Sequence, residues 1–363
     1  MDCELQRIAE QFALVGSIVD ISPYGNGHIN DTYCIRTDED RLYIMQRIND
    51  NVFKKPTDVM TNISAVTGFL QEKLRNQGGN PMREAMTLIP TLDGAPYVSA
   101  SEKDLYRVYV FIDQAVSYDI IESPEIFYNA AKAFGRFQSM LSDFPAEKLK
   151  ETIPSFHDTY RYYQKFEKAV EEDCVGRCAE VAEEIQFVRD RVNDTKIVTE
   201  ALVRNELPLR VTHNDTKLNN VMFDEATNDA LCVIDLDTVM PGSLLFDFGD
   251  AIRFGANTAV EDETDISKIA INLELFEAFT KGYLDELKDC MTQKEMELLP
   301  FAAKLLTFEC GIRFLTDYLV GDTYFKIHKP KHNLDRARNQ FALVADMEKK
   351  MADMKKIVQD IIK

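Results

Sequence analysis

The chain has 363 residues, of which 45% are hydrophobic and 28% are charged, and its formal net charge at pH 7 is -19. One hydrophobic core rarely fills this length, so two domains are expected. The strongly negative net charge argues against a nucleic-acid partner. No apolar run is long enough to span a membrane, and the N-terminal residues lack the layout of a signal peptide. We therefore expect a cytoplasmic protein with no membrane partner, whose seven cysteines are reduced thiols.

The N-terminal part of the chain is predicted to form a small sheet around a glycine-rich turn. Helical spacing over 5–14 is followed by alternating patterns typical of strands, the first two of which are separated by Gly25-Asn-Gly27. This arrangement forms the flap over ATP phosphates in kinase-like folds, because glycine lets backbone N–H groups approach oxygen. A plain hairpin turn has the same appearance. As nucleotide contacts we predict Gly25 and Gly27.

The third predicted strand, 41–47, is where protein kinases carry a lysine that holds the phosphates and pairs with a helix glutamate. Here the equivalent residues are Gln46 and Arg47, and the helix expected after Pro56 offers Asp58 and Asn62 instead of glutamate. Strand register decides which of Gln46 and Arg47 faces the nucleotide. A surface role for Arg47 is an equal alternative.

Further strands over 87–112 complete the predicted sheet. The next residues, Phe111 to Gln114, are expected to form a hinge, at which the backbone around Phe111 and Asp113 binds adenine. A helix is predicted from Pro124 onward, because Ser123 precedes it as a cap and an early acid follows. We therefore divide the chain into a nucleotide-binding part, 1–112, and a catalytic and acceptor-binding part, 113–363.

The sequence His213-x-Asp215-x-Lys217-x-x-Asn220 matches the kinase catalytic loop. Phosphoryl transfer needs a carboxylate facing the acceptor hydroxyl and oxygen ligands for Mg²⁺. We predict that Asp215 takes the hydroxyl proton, that Asn220 binds the metal and that Lys217 lies against the transferring phosphate. For His213 the prediction is that it fixes the loop backbone.

A second acidic segment follows, in which an apolar run at 231–234 leads into Asp235 and Asp237. Because Mg²⁺ prefers oxygen ligands and needs only one or two protein carboxylates beside phosphates, Asp235 is predicted to bind it. Asp237 is expected to point the same way along a strand and to assist. Acid pairs in loops are often only solvated turns, but the catalytic-loop pattern upstream favours the metal site.

The triplet Asp247-Phe-Gly resembles the metal motif of protein kinases. It lies 27 residues past Asn220 and follows a Pro-Gly turn, whereas Asp235 directly follows an apolar strand. We therefore predict that Asp247 does not bind metal and instead orders the loop by accepting hydrogen bonds.

Three helical stretches are predicted after 261, and an unusual polar and aromatic segment occupies 313–328. Aromatic rings that stack on a pyranose, together with Arg, Asp or His that bind its hydroxyls, are what a sugar site requires. The segment is thus a candidate acceptor site.

Together these motifs resemble the aminoglycoside phosphotransferase and choline kinase superfamily, and within it the N-acetylhexosamine 1-kinases. The resemblance implies an α+β, bilobal, protein-kinase-like fold with a small N-terminal antiparallel sheet lobe and a larger, mainly helical C-terminal lobe. The strings that carry it are Gly27-His-Ile-Asn30, Leu209-Arg-Val-Thr-His-Asn-Asp-Thr-Lys-Leu-Asn-Asn220, Ile234-Asp-Leu-Asp-Thr238, Met240-Pro-Gly-Ser243, Phe246-Asp-Phe-Gly-Asp250 and Asp322-x-Tyr-Phe325.

The resemblance implies a kinase that uses ATP and Mg²⁺ to phosphorylate the anomeric C1 hydroxyl of N-acetylglucosamine or N-acetylgalactosamine. Its small-molecule sugar would contact Asp215 and four residues that match the family's sugar pocket, His28, Phe254, Arg313 and Tyr324. In this family the position of Arg47 can carry an uncharged residue.

Two alternatives stay open. A kinase for another small alcohol or an aminoglycoside would share the catalytic residues, and the acidic charge permits a cationic acceptor, although Arg313 argues against a polycation. A nucleotide-binding pseudokinase that acts as an interaction module is the other. The sequence does not predict the oligomeric state.

Overall fold

A computed structural model describes residues 3–25, 30–101 and 104–363. The chain forms two compact units. The first comprises Met1–Ser117, Met140–Pro154 and Asn220–Pro241, and the second comprises Tyr118–Ser139, Ser155–Asn219 and Gly242–Lys363. The division at residue 112 stays a prediction.

The strands follow the alternating patterns of the sequence. They are β1 (Ile18–Pro23), β2 (Asp31–Thr37), β3 (Leu42–Arg47), β4 (Leu88–Ile89), β5 (Val98–Ser99), β6 (Leu105–Val110), β7 (Ala115–Val116), β8 (Arg210–Thr212), β9 (Val221–Asp224), β10 (Ala230–Val233) and β11 (Met240–Gly242). The helices are α1 (Cys3–Ala9), α2 (Pro56–Asn76), α3 (Pro81–Glu84), α4 (Pro124–Met140), α5 (Thr159–Glu172), α6 (Ala182–Asp190), α7 (Ile197–Val203), α8 (Leu244–Gly255), α9 (Leu273–Leu287), α10 (Gln293–Leu319) and α11 (His332–Ile362).

The first unit contains an antiparallel sheet in the order β1-β2-β3-β6-β4, with β5 also paired to β6. Its register places Gln46 of β3 directly opposite Arg107 of β6. Alternate side chains of the strands, among them Ile35, Met45 and Val108, are fully buried in one core cluster together with residues of α1. The predicted N-terminal sheet is therefore confirmed.

Helix α2, predicted to begin near Thr57 after Pro56, begins at Pro56 itself, because proline needs no N–H partner in the first turn. Its apolar residues recur at helical spacing and are buried. Asn62 is buried on the same helix and accepts a hydrogen bond from the backbone N–H of Lys150 at 2.8 Å. The Asn62 amide also donates to the carbonyl oxygens of Lys150 and Val239, each at 2.8 Å. This polar residue therefore fixes two backbone segments of the unit.

A second antiparallel sheet of the first unit has the order β10-β9-β7. Strands β9 and β10 form a hairpin, so the residues that precede β9 and follow β10 lie at the same end of it. This pairing determines where two of the predicted metal ligands meet.

The second unit is mainly helical, and α10 packs against α5, α8 and α11. Helix α10 begins with a capping box, in which Thr292 accepts from the N–H of Glu295 and the Glu295 side chain accepts from that of Thr292. A Cβ atom on Gly249 of α8 would lie 2.5 Å from the carbonyl oxygen of Ala302. Close packing of α8 on α10 thus requires this glycine.

All seven cysteines are free thiols. Across the residues that the structure describes, none of the helices has the length and apolarity needed to cross a membrane.

Candidate active site

The predicted catalytic loop follows β8 in the second unit, and Asp247 of α8 fixes its backbone. The two carboxylate oxygens of Asp247 accept from the backbone N–H groups of His213 and Asn214, at 2.9 and 2.7 Å. The hydroxyl of Thr216 donates to the carbonyl oxygen of Asp247 at 2.6 Å. The prediction that Asp247 orders this loop through hydrogen bonds is confirmed.

Two features show how firmly the loop is held. Asn214 adopts a left-handed backbone conformation with φ of 65°, which asparagine tolerates better than most residues. Asp247 is buried, and its burial raises the pKa of the carboxyl group, against the opposing effects of His213 and of the hydrogen bonds from the loop and Gln138. A buried carboxylate with this many donors holds a single loop geometry.

His213 is fully buried and makes T-shaped ring contacts with Phe134 and Phe137, with centroids 5.7 and 5.9 Å away. Its Nδ1 accepts from the backbone N–H of Asp215 at 3.3 Å. The geometry therefore supports the predicted role of His213 in fixing the loop backbone.

Asp215 and Lys217 form an ion pair, with Lys217 Nζ 2.7 Å from Asp215 Oδ1. The two side chains are 24% and 38% exposed, so both can meet a ligand from solvent. Burial lowers the pKa of Lys217, but the charge and hydrogen bond of Asp215 outweigh burial, and the pKa is raised. The pair consists of the predicted base and the predicted phosphate contact.

The sequence analysis missed a second charged group beside this pair. Arg253 of α8 is buried and binds Asp250 at 2.9 Å and Glu261 at 3.1 Å. Burial raises the pKa of Asp250, but the charges of Arg253 and Lys217 outweigh burial and lower it. The acid at 250 and the base at 253, one turn apart, are a signal that could have revealed the group.

In the first unit, residues 234–239 form what we call the acid loop. The N–H of Ile234 donates to the carbonyl oxygen of Asn220 at 2.8 Å. Because Asp235 follows Ile234, this hydrogen bond brings the backbones of Asn220 and Asp235 close together. Asp235 has a left-handed conformation, with φ of 59° and ψ of 66°. For a non-glycine residue this costs about 1–3 kcal/mol and is typical of functional sites.

The left-handed backbone of Asp235 also changes the expected geometry of Asp237. Strand β10 ends at Val233, and Asp237 lies in a 3₁₀ turn over Leu236–Thr238, so the expectation that it continues a strand is wrong. Asp237 is buried and accepts from Nη1 of Arg107 and, at 2.6 Å, from Nδ2 of Asn30. Its role as a metal ligand stays a prediction.

The donor chemistry of Asn220 and Asp235 fits Mg²⁺, which binds amide and carboxylate oxygens. Within the described ranges, no group of three or more His, Cys, Asp or Glu could hold a metal ion. A metal at Asn220 and Asp235 would therefore depend on additional oxygens, such as those of nucleotide phosphates.

Gln46 and Arg47, the two candidates on β3, have different surroundings. Arg47 forms ion pairs with Asp31 at 3.1 Å and with Asp104 at 2.5 Å and is partly exposed. Gln46 donates to the hydroxyl of Thr32 at 3.2 Å, and its Oε1 accepts from Arg107. A nucleotide contact for either residue stays a prediction.

The predicted hinge is partly occupied by the protein itself. The N–H of Phe111 donates to the carbonyl oxygen of Leu42 at 3.3 Å. The side chain of Arg83 donates to the carbonyl oxygens of Asp113 and Gln114. Adenine binding by Phe111 and Asp113 stays a prediction.

Gly25 has φ of 73°, and a Cβ atom there would meet nothing within 4 Å. The predicted nucleotide contact Gly27 and the predicted sugar contact His28 lie outside the residues that the structure describes.

Arg313 of α10, a predicted sugar contact, lies in a cage of three aromatic rings in the second unit. Its guanidinium carbon is 5.2, 5.6 and 5.8 Å from the ring centroids of Tyr162, Phe325 and Phe156. No carboxylate forms an ion pair with Arg313 among the residues described. A guanidinium stacked only on rings keeps its N–H groups for an oxygen-bearing ligand.

Asp317, which the sequence analysis missed, orders the chain next to this cage. Its carboxylate accepts from the backbone N–H groups of Thr323, Tyr324 and Phe325, at 2.9, 2.8 and 2.9 Å. Tyr324 is 74% exposed and stands edge-on to Phe325, with ring centroids 4.8 Å apart. The exposed ring is thus attached to a rigid turn.

Phe254, the remaining predicted sugar contact, lies in the last turn of α8 and is 41% exposed. The predicted contacts described in the second unit, Asp215, Phe254, Arg313 and Tyr324, all have side chains that are at least partly exposed.

Comparison with known proteins gives one family and several similar folds. A model of the phosphotransferase enzyme family APH matches residues 20–283, well over half of the chain. An aminoglycoside phosphotransferase from Alicyclobacillus acidocaldarius has a similar fold, with a TM-score of 0.58, 15% identity, and coverage of 98% of this chain and 96% of that one.

A microcompartment-associated aminopropanol kinase matches with a TM-score of 0.59 and 15% identity, covering 97% of this chain and 98% of its own. A choline kinase from Cryptosporidium parvum matches with a TM-score of 0.54 and 13% identity, covering 95% and 91%. At these identities the likeness concerns the fold. The predicted kinase-like fold, with an antiparallel sheet in its N-terminal part and helices in its C-terminal part, is confirmed.

Proposed function

Because the chain belongs to the APH phosphotransferase enzyme family, we propose that it is a kinase that transfers the γ-phosphoryl group of ATP to the anomeric hydroxyl of an N-acetylhexosamine. The observation that carries the proposal is the ion pair of Asp215 and Lys217 on a loop whose backbone is fixed by Asp247. A carboxylate that can face the acceptor hydroxyl and a cation that can face the phosphate are among the groups that phosphoryl transfer requires.

In the proposed reaction, Asp215 accepts the proton of the acceptor hydroxyl and orients its oxygen for in-line attack on the γ-phosphorus. Asp215 need not be strongly basic, because in a loose transition state the proton leaves late. Lys217 would turn from Asp215 to the transferring phosphoryl oxygens and offset their charge. His213 and Asp247 hold the backbone that presents both side chains.

Asn220 and Asp235 would hold Mg²⁺ through one amide oxygen and one carboxylate. When bound there, the ion would offset the negative charge of the phosphates. Both residues are held at the end of the β9–β10 hairpin by the hydrogen bond from Ile234 to Asn220. This hydrogen bond constrains the separation of the two residues.

The acceptor class is inferred from Arg313. An arginine that forms no ion pair repels an ammonium group, whereas it donates readily to the hydroxyl and acetamide oxygens of a sugar. The exposed ring of Tyr324, next to Phe325 of the cage, offers flat apolar surface for a pyranose ring. A neutral N-acetylated sugar therefore fits this part of the second unit better than a cationic amine.

A kinase for another small alcohol is the second candidate, since the solved structures above include an aminopropanol kinase and a choline kinase. The net charge of -19 would favour such cationic acceptors at long range. The two candidates differ in what they require of Arg313.

An acceptor panel separates the candidates. ADP release would be measured with Mg²⁺-ATP and N-acetylglucosamine, N-acetylgalactosamine, glucose, galactose, choline, aminopropanol or kanamycin. Turnover of the N-acetylated sugars, reduced at least about 10-fold in Arg313→Met, is the expected result, since a lost charged hydrogen bond is worth about 1.5–3 kcal/mol.

Two results would overturn the sugar assignment: turnover only of an amine acceptor, or turnover of an amine that increases in Arg313→Met. Neither result would contradict the assignment as a kinase. Nucleotide binding by folded protein without turnover of any acceptor would instead indicate a pseudokinase.

A further inference from the structure

We propose that Arg107 is the positioning residue of the acid loop: by holding Asp237 it fixes Asp235 in the conformation in which that carboxylate binds a divalent ion. The proposal rests on the proposed function, because it takes Asp235 as a metal ligand. It also assigns Asp237 to the protein framework and not to the metal. Arg47 of β3 is paired with Asp31 and Asp104, so the cation that binds Asp237 comes from β6.

Arg107 is enclosed by protein. Its side chain is 1% exposed, and that of Asp237 is 4% exposed. The guanidinium donates from Nε and Nη2 to Oε1 of Gln46, at 3.1 and 2.8 Å, and from Nη1 to Oδ1 of Asp237. It also lies over the ring of Tyr109, 5.3 Å from the centroid. With these partners and so little exposure, Arg107 acts on the acid loop and not on a ligand in solvent.

The second oxygen of Asp237 is held as well. Nδ2 of Asn30 donates to it at 2.6 Å, and Oδ1 of Asn30 accepts from the backbone N–H of Asn49 at 3.0 Å. One carboxylate therefore joins β6, the residue that precedes β2 and the chain after β3. Because both oxygens are used on different elements of the unit, Asp237 has one allowed position.

The contact between Arg107 and Asp237 acts on Asp235 through the backbone. Asp235 lies between two fixed points, the hydrogen bond from Ile234 to Asn220 and the side chain of Asp237. Farther along, the carbonyl oxygen of Val239 is held by Asn62 at 2.8 Å. The left-handed conformation of Asp235 is unfavourable and persists only when its surroundings enforce it. Loss of the contact between Arg107 and Asp237 should let Asp235 move away from Asn220.

The planar guanidinium is needed for this arrangement. It binds Gln46 and Asp237 at once through a fixed fork of donors, whereas a lysine ammonium is a point charge on a flexible stem. Removal of Arg107 alone would leave the buried Asp237 carboxylate without its counter-charge, which is strongly destabilising, whereas removal of both charges is often tolerated. This difference provides a folded variant for the test.

The test is Mn²⁺ binding in the presence of ADP, measured by electron paramagnetic resonance, together with ADP binding without metal, measured by calorimetry. Both use the full chain, Arg107→Gln, Arg107→Lys and the charge-neutral pair Arg107→Gln/Asp237→Asn. Arg191→Gln is the control, because Arg191 forms a half-buried two-point ion pair with Glu348 in the second unit.

Arg107→Gln is expected to weaken Mn²⁺ binding about 10–100-fold, the usual effect of losing a residue that orients a metal ligand. The Mn²⁺ affinity of Arg107→Lys should lie between that of Arg107→Gln and that of the unchanged protein. Affinity for metal-free ADP should stay within about 2-fold. If Arg107→Gln does not fold, the charge-neutral pair takes its place with the same expectation, and Arg191→Gln should match the unchanged protein.

Unchanged Mn²⁺ affinity in the Arg107 variants would overturn the inference, and so would an equal loss of metal-free ADP affinity, which would make Arg107 a nucleotide contact. The outcome is separable from the proposed function. Absence of Mn²⁺-ADP binding by the unchanged protein would contradict the kinase assignment itself.

Discussion

Lys217 Nζ lies 2.7 Å from Oδ1 of Asp215 on the catalytic loop of the second unit. The proposed phosphate contact is thus paired with the proposed base. Each orients the other, and in the proposed reaction each must exchange this partner for a substrate group.

Lys217→Met is expected to reduce kcat by about 100-fold, because it removes a charge that would be aimed at the transferring phosphoryl group. KM for the acceptor should change little, since Asp215 is still present. Steady-state kinetics with saturating Mg²⁺-ATP would measure both. A kcat within about 2-fold of the unchanged enzyme would show that Lys217 only neutralises Asp215.

The ion pair also predicts a pH dependence of stability. The net pKa of Lys217 is raised above its ordinary value of 10.5. For such a group the stabilising contribution is complete below the unfolded pKa and is lost as pH rises through the folded pKa. The difference in unfolding free energy between the unchanged protein and Lys217→Met should be constant from about pH 6 to 9 and shrink above about pH 10.5. Urea unfolding at several pH values measures it, and a decrease already near pH 8 would contradict the assignment.

Asp247→Asn should destabilise the protein by about 1–3 kcal/mol, because one amide N–H₂ would face a backbone N–H of the catalytic loop. Turnover should fall together with stability, since the loop loses its anchor. The control is the same change at exposed Asp265, which accepts from the N–H of Ser267 at 3.2 Å and should change stability by less than about 0.5 kcal/mol. Equal effects of the two substitutions in urea unfolding would refute the anchoring role of Asp247.

Several of these features follow from local sequence. The spacing of His213, Asp215 and Asn220 identified the catalytic loop, and the distance of Asp247 from it, with the Pro-Gly turn before, predicted an anchor instead of a metal ligand. Proline at the start of α2 and the alternation in β3 were equally visible, because they express preferences of the backbone within a few residues.

Contacts between residues distant in sequence were not predictable. Arg107 is a single charged residue in a strand of mostly apolar side chains. No sequence pattern near it indicates that its partner is Asp237, 130 positions later. The sequence also suggested that Asp237 continues a strand beyond Asp235. The left-handed backbone of Asp235 is imposed by tertiary contacts. The alternating side-chain pattern of a strand therefore gave the wrong orientation for Asp237.

Asp317→Asn is expected to raise KM for the acceptor by roughly 10-fold without changing KM for ATP, because the turn that carries Tyr324 loses charge-assisted hydrogen bonds worth about 1.5 kcal/mol or more. The carboxylate now holds three backbone N–H groups of that turn and the side chain of Asn333. Kinetics with one substrate varied at a time would test this. An equal rise of both KM values would instead indicate general destabilisation.

The central claim is tested most directly by the position of the transferred phosphate and its dependence on Asp215. N-acetylglucosamine and N-acetylgalactosamine would be incubated with Mg²⁺-ATP and either the unchanged enzyme or Asp215→Asn, and the products assigned by ³¹P and ¹H nuclear magnetic resonance. A phosphate coupled to the anomeric proton, formed by the unchanged enzyme and reduced at least about 100-fold in Asp215→Asn, is the predicted result. Phosphate on another hydroxyl, or equal product from the Asp215→Asn variant, would contradict the account.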